Sequence, residues 1–153
     1  MPDNTLLESQ ELERLQGRRL GPYLSHNPVS ATQIWQWCTA MGDRNPNFLP
    51  GENQVAPPAM MQMWTMRDCN DEYARGSTDA PPYQVFDDMA SSGYPANVAV
   101  SYDIRFHHDL RVGDRVKHYT TVVAISEHKT TRLGSGYFVT EKVEYLKQDD
   151  LLF

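Results

Sequence analysis

The sequence predicts an α+β fold, in which a curved antiparallel sheet wraps around a central apolar helix. Two observations carry this. Apolar residues in the first half recur at helical spacing, and strict alternation takes over after Asn97. Helices first and long strands afterwards is the segregated order of α+β architectures. A third observation supplies the helix. Ala59, Met60, Met61, Met63, Trp64 and Met66 are apolar on nearly every side, and such a helix has to be covered by other elements.

The elements follow in order. From Asn4 to Gln16, Leu6, Leu7, Leu12 and Leu15 stand among polar residues, which reads as a short amphipathic helix stopped by Gly17. Leu20 to Val29 holds Gly21, Pro22 and Pro28 and reads as an irregular strand. Ser30 can cap the next helix, with Gln33 three residues on. Ile34, Trp37, Cys38 and Met41 share one face of it, and Gly42 takes the position after its end that glycine prefers. A polar loop covers 43–55. Pro57 and Pro58 then suit a first helical turn, whose N–H groups have no intrahelical partner. The Met cluster behind them fits adaptable core better than a cofactor box.

Residues 67–95 are polar, with Pro81-Pro82, and read as a long insertion of the lid or binding-loop kind. Val98, Val100, Tyr102, Ile104 and Phe106 then alternate with polar or small residues, as in a half-buried strand. Val112-Gly113-Asp114 reads as a hairpin turn. A second strand is expected over 115–126. A third is expected over 131–147, with Leu133, Tyr137, Val139, Val143 and Tyr145 on one face. Asp149-Asp150 is a further turn, and Leu151-Leu152-Phe153 looks like the opening of another strand.

At 153 residues the chain is expected to be a single domain over 1–153, with room for one core. Fourteen basic against 20 acidic residues give a net charge of −6, which argues against nonspecific nucleic-acid binding. No apolar run approaches a membrane span, and no charged-then-apolar leader is visible at the N-terminus. Cys38 and Cys69 match neither a zinc spacing nor a disulfide framework, so a reduced cytoplasm is the default compartment.

The segment Gly42-Asp43-Arg44-Asn45-Pro46-Asn47-Phe48 resembles the Gly-Asp-x-Asn-Pro-x-His signature of the MaoC-like enoyl-thioester hydratase/dehydratase family. The helix before it, the apolar helix after it, the turn at Gly113 and the Gly134-Ser135-Gly136-Tyr137 strand are similar too. The resemblance runs from about Leu20 onward and implies a single hot-dog fold. In that family an Asp and a His hold and activate the water that adds across the double bond, an acid–base task. Here the His position is Phe48. The family's hot-dog helix usually opens with His-Gly, whose glycine N–H stabilises the thioester oxyanion. Here that glycine position is Pro58, which has no N–H. The segment between the two motifs is also shorter than in catalytic members.

The resemblance therefore implies no catalytic residue of the chain's own. Asp43 and Asn45 remain as a vestigial motif that either binds substrate or only shapes the loop as an Asx turn. Met60, Met61 and Trp64 are the expected tunnel residues. No cofactor or metal is implied, and the CoA thioester enters as substrate. The implied partner is a homologous catalytic subunit, in a heterodimer or heterotetramer, with no nucleic acid and no membrane. Heteromeric enoyl-CoA hydratases of actinobacterial steroid side-chain degradation are the most similar, through the N-terminal domain of their non-catalytic subunit. The chain is then expected to be the front part of a longer polypeptide, or else to have a sheet that is short at one edge. A non-catalytic subunit of a 3-hydroxyacyl-carrier-protein dehydratase and a pure binding or scaffolding module are the alternatives. A hot-dog thioesterase ranks below them, because residues 59–66 hold no Asp or Glu. His107 and His108 could replace the missing His or be ordinary strand-end residues. His26, His118 and His128 have no recognisable acid or nucleophile partner.

Overall fold

The computed structural model describes Leu7 and residues 9–148. Helix α1 is Ser9–Leu15, and the earlier part of the expected N-terminal helix lies largely outside the described residues. Helix α2, Ala31–Met41, is bounded as its sequence dictates. The Ser30 hydroxyl accepts from the Gln33 amide at 3.4 Å, and Gly42 closes the helix in the left-handed region at φ 67°. Ile34 and Cys38 are buried and Trp37 packs against the same core. Met41, expected on that face, is exposed at the helix end, where nothing packs over it. Replacing Ser30 by Ala is expected to lower stability by about 1 kcal/mol, the usual worth of an N-cap. Urea unfolding of the two proteins side by side measures it.

Three strands form one sheet in the order β1 (Arg19–Leu24), β2 (Val116–Ile125), β5 (Val139–Lys147). The flanking hydrogen bonds fix the direction. Gly17 N–H donates to Val122 and Ser25 N–H to Val116, so β1 runs against β2; Ser126 N–H donates to Phe138 and Gln148 N–H to Arg115, so β5 does too. Along β2, Val116, His118, Thr120 and Val122 point inward and are buried. The expected third strand over 131–147 is broken into pieces. Strands β3 (Lys129–Thr131) and β4 (Gly134–Gly136) form a small antiparallel hairpin, with Thr131 opposite Gly134, before β5 begins. Gly134, at φ 133°, makes the turn that interrupts it. Leu133 is exposed at that tip and Val143 is exposed where the alternation of β5 slips, so the expected face is not continuous. The turn at Val112–Asp114 forms as read: Asp114 N–H donates to Arg111 O at 3.0 Å, with Gly113 at φ 93°. The turn at Asp149-Asp150 and the strand opening at Leu151–Phe153 lie outside the described residues.

Three expectations need correction. The Met-rich helix is a 3-10 helix over Pro58–Thr65, held by i→i+3 bonds such as Met60 N–H to Pro57 O at 2.9 Å. It is covered on one side only: Met60, Trp64 and Thr65 are buried, while Pro58, Ala59 and Gln62 are exposed. The polar insertion 67–95 contains helix α3, Gln84–Ser91, whose Val85 and Met89 are one turn apart and buried. The alternating run 98–106 forms no ladder among the described residues, and its apolar side chains are exposed.

The chain groups into two compact units. One comprises residues 1–21, 78–103 and 119–143, with a core of Val85, Met89 and Val122 against which Leu7, Leu12, Leu15 and Tyr137 pack. The other comprises 22–77, 104–118 and 144–153; its core joins Val29, Ile34, Cys38, Ala56, Met60, Trp64, Leu110 and Val116. The expected site residues Asp43, Asn45, Phe48, Pro58, Met60, Met61 and Trp64 belong to the second.

Candidate functional site

The site is built where the chain turns into the 3-10 helix. Val55 makes an isolated antiparallel bridge with Arg111, and Ala56 N–H donates to Leu110 O at 2.7 Å. These bonds hold two segments face to face. Between them lies an open cavity of about 250 Å³, with Ala56–Pro58 and Met61 on one wall and residues 106–110 on the other. The first wall is poor in donors. Pro57 and Pro58 have no N–H, and that of Ala56 is committed to Leu110. The second wall brings the apolar Phe106 and the polar side chains His107, His108 and Asp109.

Asp43 and Asn45 are not among the residues lining this cavity. The Asp43 carboxylate accepts from Asn45 N–H at 2.9 Å, and the Asn45 side-chain oxygen accepts from Asn47 N–H at 3.0 Å, capping the one-turn 3-10 helix Pro46–Phe48. These are two consecutive Asx turns on the outside of the loop. Phe48 is half-buried against the core that holds Met60 and Trp64. Its carbonyl accepts from the buried Gln54 amide at 2.9 Å, and Val55 N–H returns to Asn47 O at 3.0 Å. A short loop is thereby clamped from both ends.

The expected site residues thus fall into three places. Pro58 and Met61 line the cavity, Phe48, Met60 and Trp64 sit in or against the core behind it, and Asp43 and Asn45 shape the loop. Asp43 still acts electrostatically on its surroundings. Burial first, and then the Asp43 charge, pushes the Cys38 thiol up from its ordinary pKa.

One group in this unit escaped the sequence reading. His118 is 6% exposed, and its ring stacks on Tyr23 at 4.8 Å between centroids, with Tyr145 at 5.5 Å and Tyr73 at 5.9 Å. Desolvation lowers its pKa from 6.5 to about 4. Its Nδ1 and the Trp64 indole N–H are buried and meet no hydrogen-bond partner among the described residues. The signal was the phase of β2, since His118 shares the inward phase of Val116 and Thr120. Among the described residues no group of three His, Cys, Asp or Glu is placed to hold a metal ion, and no helix is long and apolar enough to cross a membrane.

Comparison with known proteins agrees with this architecture. The family described as FAS1-like, dehydratase domain region, matches residues 15–152. The probable enoyl-CoA hydratase alpha subunit of Thermomonospora curvata is 35% identical over an alignment of 152 residues that covers 91% of this chain and 46% of that protein. The 3-oxo-4,17-pregnadiene-20-carboxyl-CoA hydratase alpha subunit of Mycobacterium tuberculosis is 31% identical over an alignment of 139 residues that covers 84% of this chain and 43% of that protein. The chain therefore spans about half the length of the curated relatives it matches. Among solved structures, the ChsH1-ChsH2 complex from Mycobacterium tuberculosis superposes with a TM-score of 0.78 at 27% identity, covering 92% of this chain and 86% of the other. The MaoC-like dehydratase from Rhodospirillum rubrum gives 0.61 at 20% identity, covering 92% and 88%, and shares the hot-dog fold.

Proposed function

Because the chain belongs to the FAS1-like dehydratase domain family, we propose that it is the non-catalytic, tunnel-forming subunit of a heteromeric enoyl-CoA hydratase. The observation that carries this is the cavity wall at Ala56–Pro58. A thioester carbonyl laid against it would meet two prolines and a committed amide where an oxyanion donor is needed. Phe48, at the position of the family's His, packs against the core and has no group that takes or gives a proton. Both deficits fall on the same half-reaction. A homologous partner supplies the Asp and His, and the water adds to the 2-enoyl thioester there. This chain's part is to exclude water and hold the acyl group, with Pro57, Pro58, Met61 and Phe106 as the apolar surface.

The alpha subunits among the relatives, one of them for a steroid carboxyl-CoA, support a bulky acyl group as the substrate. The CoA thioester is then substrate and no resident cofactor takes part. The free thiols Cys38 and Cys69 suit a reducing cytoplasm.

The test has two arms. The chain alone is expected to turn over enoyl-CoAs of any length at well below about 1 per second, a low rate for an enzyme. Co-expressed with a homologous subunit that keeps Asp and His, it is expected to be active. Met61→Trp in that pair narrows the cavity. The expected result is a fall in kcat/KM of about tenfold or more for a bulky enoyl-CoA, the range that pocket fit provides, with crotonyl-CoA nearly unaffected. Fast hydration by the isolated chain, or equal loss on both substrates, would overturn the reading.

A further inference from the structure

Taking the tunnel role proposed above as given, we infer that the indole N–H of Trp64 is the hydrogen-bond donor at the inner end of the acyl site. It selects an acyl group that carries an uncharged acceptor oxygen far from the thioester. Side chains three residues apart eclipse one another in a 3-10 helix. Pro58, Met61 and Trp64 therefore stand in one line along the helix Pro58–Thr65. Burial deepens along that line: Pro58 is exposed, Met61 is half-buried and Trp64 is only 6% exposed. The first two line the cavity, and Trp64 is the next residue inward on the same face.

A donor in that place is costly to leave idle. Buried indole N–H groups ordinarily find an acceptor. That of Trp64 meets none among the described residues. The side chains buried in the same core cluster, from Val29 to Val116, carry no oxygen to offer it. An acyl group whose own oxygen reaches the N–H would satisfy it. A plain hydrocarbon would cover it and leave it unpaired. A carboxylate or phosphate does not fit, because one neutral donor does not repay the burial of a charge. A ketone, ester or hydroxyl does. The helix also sets the distance. From Pro58, against which the thioester carbonyl lies, to Trp64 is about 12 Å along the axis, at about 2.0 Å per residue. That is the span of about ten bonds of extended chain. Met61 stands between the two, and its unbranched, adaptable side chain can turn aside for a long acyl group.

The test uses the full chain co-expressed with a homologous catalytic subunit. The probes are a twelve-carbon 2-enoyl-CoA and the same chain with a ketone on its penultimate carbon. The ketone probe is expected to show a kcat/KM about tenfold higher, the order that one satisfied buried donor provides. A third probe, with the ketone four carbons nearer the thioester, should fall back to the level of the hydrocarbon. Trp64→Phe keeps a ring and removes the N–H, and should bring the first two probes level. A Trp64 with a structural role alone would lower both and keep their ratio. If Trp64→Phe does not fold, the three probes on the unaltered pair decide the matter by themselves. Equal kcat/KM for all three, or a preference that survives Trp64→Phe, would refute the assignment. A pair that hydrates none of them would count against the hydratase reading instead. The same ratios are then measured as Kd by calorimetry on the full chain, where a tenfold preference for the penultimate ketone supports the Trp64 donor and equal affinities refute it.

Discussion

Between pH 6.5 and about pH 4 the chain is expected to lose about 3 kcal/mol of folding stability through His118 alone. The imidazole is buried among Tyr23, Tyr73 and Tyr145, and desolvation holds its pKa near 4 in the folded chain. In the unfolded chain it titrates at its ordinary 6.5. Below 6.5 the unfolded state therefore takes up the proton first, and each pH unit favours unfolding until the folded state is protonated as well. The stabilisation is fully present above pH 6.5 and gone below about 4. Glu141 works in the opposite sense. Burial raises its carboxyl pKa, so its contribution falls as pH rises above the ordinary carboxylate range. The measurement is urea unfolding at several pH values for the chain and for His118→Phe, which keeps the stacking and removes the proton. The stability of the chain relative to His118→Phe should fall steadily as the pH drops through this window. Parallel curves would show that His118 does not carry the acid sensitivity.

Met60→Ala is expected to cost about 2–5 kcal/mol, the range for truncating a fully buried long side chain. Met60 is 1% exposed and touches the same core as Ile34, Trp64 and Phe48. Its neighbour Met61 lines the cavity, so Met61→Trp should leave the unfolding midpoint nearly unchanged. Adjacent methionines would thus separate a folding role from the proposed tunnel role. A Met60→Ala chain of unchanged midpoint that loses only bulky substrates would move Met60 to the tunnel wall.

What could be read from the sequence was what local rules determine. Helix α2 is bounded by Ser30 and Gly42, each of which acts through its own side chain or φ angle, so its limits were visible without any partner. Strand β2 announced itself by alternation and kept its phase. Residues 98–106 announce themselves equally well, yet they make no ladder. A periodic pattern records which face an element would bury, and only the fold decides whether a neighbouring strand is there to bury it. Helix α3 was hidden for the opposite reason. Its Val85, Phe86 and Met89 occupy barely more than one turn inside a polar, proline-rich stretch. The Met-rich segment was found as a helix but not as a 3-10 helix, because apolar content does not distinguish the two hydrogen-bond patterns. In the site, Phe48 and Pro58 could be read only through the family resemblance, which makes them a missing acid–base group and a missing N–H. The second wall, residues 106–110, could not, because it meets Ala56 through a bridge between residues far apart in sequence.

The loop that brings Tyr73 onto His118 has a practical use. Cys38 is buried, while Cys69 is exposed four residues before Tyr73 and next to Asp68, whose carboxylate binds the amides of Asn70 and Glu72. A maleimide dye would therefore go to Cys69, four residues from the ring that stands edge-on to His118. Emission from that dye would report on the surroundings of the buried imidazole from outside, in a chain that needs no added label site.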